Sequence, residues 1–210
     1  MSLRMPITKR IIKNHFLYAW WQYVLIIGIS IFGWNLLFTT THYRSPENLK
    51  VEWYSEGYAL PESPKSIDDL IATVHQEVLP DMEEVTFTPI GYDETYGDMQ
   101  MMVWVSAAQG DLYMLTLERF QSLGQGGALL DLQPYVDDGT LQVEGIDLTN
   151  GYVKDAETGK KYLLGIPTDS LKELEAYGFV PGGETLSLLA AGGNIENTIK
   201  LMNYLLTEMK

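Results

Sequence analysis

The chain has 210 residues, 46% of them hydrophobic and 20% charged, with a formal net charge of −14 at pH 7. That is an ordinary composition for a chain that folds around a core, long enough for one domain and an extension. It has no cysteine, which excludes disulfides, thiolate catalysis and Cys-ligated zinc.

Charge is segregated along the chain. Arg4, Lys9, Arg10 and Lys13 precede FLYAWWQYVLIIGISIFGWNLLF, residues 16–38, which contains no charged side chain. At about 1.5 Å per residue, this stretch crosses the roughly 30 Å hydrocarbon core as a helix. Trp20, Trp21 and Tyr23 suit one interface and Trp34 the other, and the basic flank marks the cytoplasmic side. A cleaved signal would have a shorter apolar region ending at small residues, and a buried core helix would not place Trp at both ends. The expected organisation is a cytoplasmic basic segment (1–15), a transmembrane anchor (16–38), a linker (39–50) and one extracellular domain (51–210). All 28 acidic residues and the ten remaining basic ones lie beyond residue 41. Nucleic acid is therefore no expected partner, and solubility is the plain reason for the acidity.

The linker includes THYRSPENLK, polar and broken by Pro46. VEWYSEGY, from Val51, alternates as a first strand. Ser66 caps a helix, SIDDLIATVHQEVL, with Ile67, Leu70, Ile71, Val74 and Val78 on one face, and Asp69 completes a capping-box pattern. VTFTPI is a second strand and GYDETYGD a loop. MQMMVWVSAAQ reads as a helix with Met99, Met102, Val103 and Ser106 sharing a face. DLYML is a short buried third strand and TLERFQSLG a helix, stopped by Gly124 and followed by a turn at Gly126 and Gly127. VEGIDL, GYVKD and KKYLLGIP are short strands, the last two joined as a hairpin by DAETGKK. Asn194 opens a final helix with Ile195, Ile199, Met202, Leu205, Leu206 and Met209 on one face. The β-α-β-α-β order of the first half predicts an α/β fold, a single three-layer domain with a mainly parallel or mixed sheet flanked by helices.

Chemical motifs are sparse. SLGQGG follows a helix instead of a strand, so it is not a phosphate loop, and GGETLSLLAAGG is a loop and strand with glycines at both ends. His15, His42 and His75 have no partner at a metal-ligand spacing, and Asp137-Asp138-Gly139 is a turn without the calcium-loop pattern. No G-x-S-x-G elbow occurs, and Glu83-Glu84 and Asp93-Glu94 are adjacent acids that point apart. No catalytic residue, metal site or cofactor is expected. Trp53, Tyr54, Tyr58, Tyr92, Tyr96 and Trp104 concentrate in the first half. Such rings line sugar and peptide pockets, although each taken singly is better read as core. In open α/β sheets ligands sit beyond the carboxyl ends of strands, which selects Glu56 and Tyr58 after the first strand and Thr116 and Glu118 after the third.

AQGDLYMLTLERFQSLGQGGALLDLQPYV resembles a segment of the bacterial extracellular solute-binding proteins of ABC importers, with their type 2 periplasmic-binding fold. In them a Gly-Asp turn leads into a strand and short helix, and a Gly-Ala-Leu, Leu-Asp-Leu run closes the unit. KKYLLGIPTDSLKEL and AAGGNIENTIKLMNYLL are similar to a later strand and the carboxyl-terminal helix of that family. The resemblance implies a non-catalytic binding protein, adds Asp111 of the Gly-Asp turn to the ligand-binding candidates, and suggests a sugar or peptide ligand. A transporter permease or sensor protein would be the partner. One departure matters: about thirty residues separate Val136 from Gly165, too few for the second lobe that would grip a ligand. The alternative expectation is an envelope protein–protein interaction module that has lost small-ligand binding.

Overall fold

The computed structural model describes residues 9–41, 43, 45–56, 58, 63–91, 96–156 and 158–210. The side chains of Arg4, Lys9, Arg10, Tyr92 and Tyr96, together with His42 and the Asp93-Glu94 pair, lie outside what is described. The chain divides into two units, Met1–Arg44 and Ser45–Lys210.

The first unit is a helix, α1 (Lys9–Thr41). Its Leu17–Thr41 portion is long and apolar enough to cross a membrane. Among its described side chains, Ile31, Phe32 and Trp34 are exposed.

The second unit is built on a five-stranded sheet. In chain order its elements are β1 (Lys50–Ser55), α2 (Ile67–Thr73, extended by a wider turn to Val78), β2 (Glu84–Pro89), α3 (Tyr96–Ser106), β3 (Leu112–Thr116), α4 (Leu117–Gln125), α5 (Gln133–Asp137), β4 (Tyr152–Lys154), β5 (Lys161–Leu163), β6 (Ile166–Pro167), β7 (Glu184–Leu188) and α6 (Ile195–Glu208). The strand order is β2-β1-β3-β7-β6, with β4 and β5 a separate hairpin. β1 is parallel to both β2 and β3, whereas β3–β7 and β7–β6 are antiparallel. The sheet is therefore mixed, because only the first half of the chain runs in β-α-β order.

Alternation along the strands gives the sheet two buried faces. Val51, Trp53, Leu112, Met114, Leu186 and Leu188 face a core shared with α2 and α6. Tyr54, Tyr113 and Leu115 face a second core with Met101 of α3 and Phe120 of α4. This is the expected three-layer α/β arrangement. Trp53 stacks on Phe179, with 5.0 Å between ring centroids, and Tyr54 stacks on Tyr113 at 5.3 Å. These rings fill core, as the plainer reading of the aromatic residues held.

The Ser66 hydroxyl accepts from Asp68 N at 3.2 Å, capping α2. α6 buries Ile199, Leu201, Met202, Leu205 and Leu206, close to the face read from its periodicity. His75 is half-buried, its Nε2 2.8 Å from the Met82 carbonyl oxygen, and Gly139 takes the left-handed conformation of the acidic turn (φ 77°).

Three expectations are corrected. VEGIDL is not a strand; it leads through turns into a short helical turn at Thr149–Gly151. Its apolar residues Val143, Ile146 and Leu148 pack singly against the core instead of pairing with a neighbouring strand. Gly124 does not stop α4 but lies inside it, where a Cβ would come within 2.7 Å of Val153 Cγ2. The face expected of α3 is reversed: Gly97 and Met101 are buried, and Met99, Met102, Val103 and Ser106 are exposed. Apolar side chains on several sides of that helix leave periodicity unable to choose a face.

Candidate functional site

Two parallel strands that end side by side leave their last backbone groups, and the residues after them, at one edge of the sheet. β1 ends at Ser55, so Glu56 begins the outward turn; β3 ends at Thr116, which also precedes the first turn of α4. The Glu56 amide donates to the Met114 carbonyl at 2.9 Å, carrying the pairing one residue beyond β1. The Glu56 side chain therefore points along the strand end toward α4.

Glu56 is only 2% exposed, and a carboxylate taken so far out of water needs partners. Its Oε2 accepts from both the amide (2.9 Å) and the hydroxyl (3.0 Å) of Thr116. Its Oε1 is ion-paired with Nη1 of Arg119, one turn into α4. Arg119 Nη2 reaches Asp98 Oδ1 of α3 at 2.6 Å. Burial lowers the pKa of the Arg119 guanidinium from its ordinary value, yet an arginine stays charged throughout the working range. One guanidinium thus ties the end of β1 to α3 and α4.

Beside this network lies a groove of about 610 Å³, lined by Glu56, Asp98, Met101, Met102, Thr116, Glu118, Arg119, Ser122 and Leu123. Its volume lies within the range of small-molecule sites. Its floor is formed by the buried Glu56 and Met101 with the half-buried Leu123, and Asp98, Met102, Glu118 and Ser122 stand exposed at its rim. Among the described lining residues none is aromatic, and none comes from residues 137–165.

Three of the five residues expected from the sequence meet here: Glu56, Thr116 and Glu118. Two do not. Tyr58 bridges to Phe179 and packs against Phe87 and Phe179, at 5.2 and 5.5 Å between centroids, as part of the α2–α6 core. Asp111 precedes β3 and so lies at the opposite end of the sheet. Its Oδ2 accepts from the Glu52 amide at 2.9 Å, and burial pushes its carboxyl up to about 6. Asp111 ties strands together there.

Arg119 and Asp98 were missed. Arg119 is the only lysine or arginine between Lys65 and Lys154, and it stands in a helical first turn, where acids are favoured. That anomaly was the available signal. Among the described residues, no group of three or more His, Asp or Glu side chains could hold a metal.

No protein-family model matches the chain, and no curated relative matches it. Solved structures similar to it are solute-binding proteins of ABC transporters, the family its motifs resemble. An extracellular solute-binding protein family 1 member from Alicyclobacillus acidocaldarius is 16% identical with a TM-score of 0.44, over 60% of this chain and 29% of that one. A galacto-N-biose/lacto-N-biose I-binding protein from Bifidobacterium longum, solved with lacto-N-biose, is 16% identical with a TM-score of 0.41 over the same shares. An N-glycan transport solute-binding protein from Streptococcus pneumoniae is 18% identical with a TM-score of 0.40, over 57% of this chain and 24% of that one. The matched part spans less than a third of the length of each of these proteins.

Proposed function

We propose that this chain is a membrane-anchored extracellular module of solute-binding type, without catalytic activity, that presents a one-sided groove at the ends of β1 and β3. The groove carries the reading. It combines apolar and polar side chains at the strand ends, where open α/β sheets take ligands. Its most buried carboxylate, Glu56, is committed on both oxygens, to Thr116 and to Arg119, which leaves it no role as a general base. Helix α1 would hold the domain at the cell membrane, basic side inward, as an accessory to an importer of sugars or peptides.

A groove left open to solvent above α3 and α4 buries less of a solute than the 70–90% typical of enclosed sites. Losing about 4 kcal/mol of contacts turns a micromolar site into a roughly millimolar one. Calorimetric titration with sugars, oligosaccharides and short peptides should therefore give no submicromolar complex, and any weak heat should fall on Glu118→Ala. Tyr58→Ala should leave weak binding in place, because Tyr58 packs away from the groove. A tight complex would overturn the one-sided reading.

A second reading is favoured by a specific observation: Met99, Met102 and Val103 of α3 are exposed at 65%, 64% and 64%. An exposed apolar helix face beside a groove is a feature of protein contact surfaces. On this reading the domain meets a permease or sensor and no longer holds a solute.

A further inference from the structure

Three features of the groove are unexplained by a small-solute site. Its apolar surface does not stop at the floor. Met102 lines the groove and is 64% exposed; Met99, one turn earlier, and Val103, the next residue, widen its apolar face on α3. Its charge is unbalanced, with Glu56, Asp98 and Glu118 against Arg119 alone. Arg119 is already spent on Glu56 and Asp98, while Glu118 is exposed on the rim. The whole of the chain beyond α1 shares this sign, with 28 acidic residues against ten basic ones.

We infer that the groove and the adjoining face of α3 dock a basic, apolar segment of a partner protein, a short stretch with aliphatic side chains between lysines or arginines. The inference rests on the second of the two readings above and specifies the partner's chemistry. Charge complementarity selects this occupant. An anionic or strongly polar segment would meet net negative potential, and a basic one is steered toward it. The aliphatic side chains belong on Met101, Met102 and Leu123, because methionine is unbranched and polarizable and adapts to varied apolar partners. A partner lysine or arginine then lies over the Glu118 rim. A peptide is favoured over a free polyamine because Met99 and Val103 extend the apolar contact beyond the groove itself, where a small cation would leave them in water.

The test uses the full chain in nanodiscs of zwitterionic lipid, with empty discs as the blank. The probe is a short fluorescent peptide carrying leucines between lysines, read by anisotropy. The expected result is saturable binding that weakens about tenfold on Glu118→Lys and several-fold on Val103→Ser, a tenfold change being about 1.4 kcal/mol. Glu173→Lys makes the same change in net charge, on the helical turn Lys172–Tyr177 of the other sheet face, and should leave binding nearly unchanged. A peptide with serines for the leucines, and one with glutamates for the lysines, should both fail to bind.

Equal weakening by Glu118→Lys and Glu173→Lys would show attraction to bulk charge only and overturn the inference. Displacement of the probe by free spermine with no effect of Val103→Ser would make the groove a small-cation site and overturn it too. So would dissociation of a self-associated chain by Val103→Ser, since a second copy would then be the occupant. If the peptide fails while an oligosaccharide binds weakly in a Glu118-dependent way, this inference falls and the solute reading stands.

Discussion

Arg119 and Glu184 show how differently two charges fare at the same end of one sheet. Arg119 is enclosed by Glu56 and Asp98, so its removal strands a buried carboxylate. Breaking a buried pair from one side costs about 3–5 kcal/mol, more than the pair itself contributes. Arg119→Ala should lower the unfolding free energy read from urea melts by an amount in the lower part of that range, with a matching fall in the midpoint, because Arg119 keeps some exposure. Arg119→Met combined with Glu56→Gln should recover part of the loss. An unchanged midpoint in the single variant would mean that the network is dispensable. Glu184 is 5% exposed, and its Oε2 has no hydrogen-bond partner among the described residues. Burial alone pushes its carboxyl from the ordinary 4.5 up to about 7. The folded chain therefore keeps a proton that the unfolded chain releases between those values. Stability from this group is greatest below about pH 4.5, falls as pH rises through the window, and levels off above 7. Glu184→Gln should raise the unfolding free energy read from urea melts at pH 8, by up to roughly 3 kcal/mol, and leave it unchanged at pH 4. A gain of equal size at both pH values would contradict this.

At the scale of elements, the groove exists because α3 and α4 lean on the same sheet face, and Gly124 sets how closely α4 approaches the β4–β5 hairpin. A Cβ there would meet Val153 Cγ2 at 2.7 Å and Leu164 Cδ1 at 3.1 Å. Alanine would gain about 1 kcal/mol of helix propensity. The contact opposes it, because a β-branched valine has little freedom to turn aside. Gly124→Ala should therefore lower the Tm, and adding Val153→Ala should restore it; a higher Tm in the single variant would show slack in the packing. Elements with local signals were legible from the sequence. Ser66 before an apolar-periodic run, the alternation of β1, and the face of α6 each carry their physics within a few residues. The face of α3 was not legible, because its apolar residues leave no polar side to mark solvent. Gly124 was misread because a glycine near a helix end has the same local appearance whether it caps the helix or admits a neighbour. At the groove, the strand-end rule reached Glu56, Thr116 and Glu118. It could not exclude Tyr58, which leaves β1 toward the other face, and the Gly-Asp turn that suggested Asp111 lies at the far end of the sheet.

The whole molecule is an acidic α/β domain preceded by one long apolar helix, and its proposed role depends on which side of a membrane that domain occupies. The four basic residues before the apolar run 16–38 and the excess of acids after it predict one orientation under the positive-inside rule. The chain has no cysteine, so a single introduced thiol reports position without background. In intact cells, Ser45→Cys should react with a membrane-impermeant maleimide, and Met5→Cys should react only after the cells are opened. The reverse pattern, or recovery of a mature chain beginning near residue 41, would contradict a domain held outside by an uncleaved anchor.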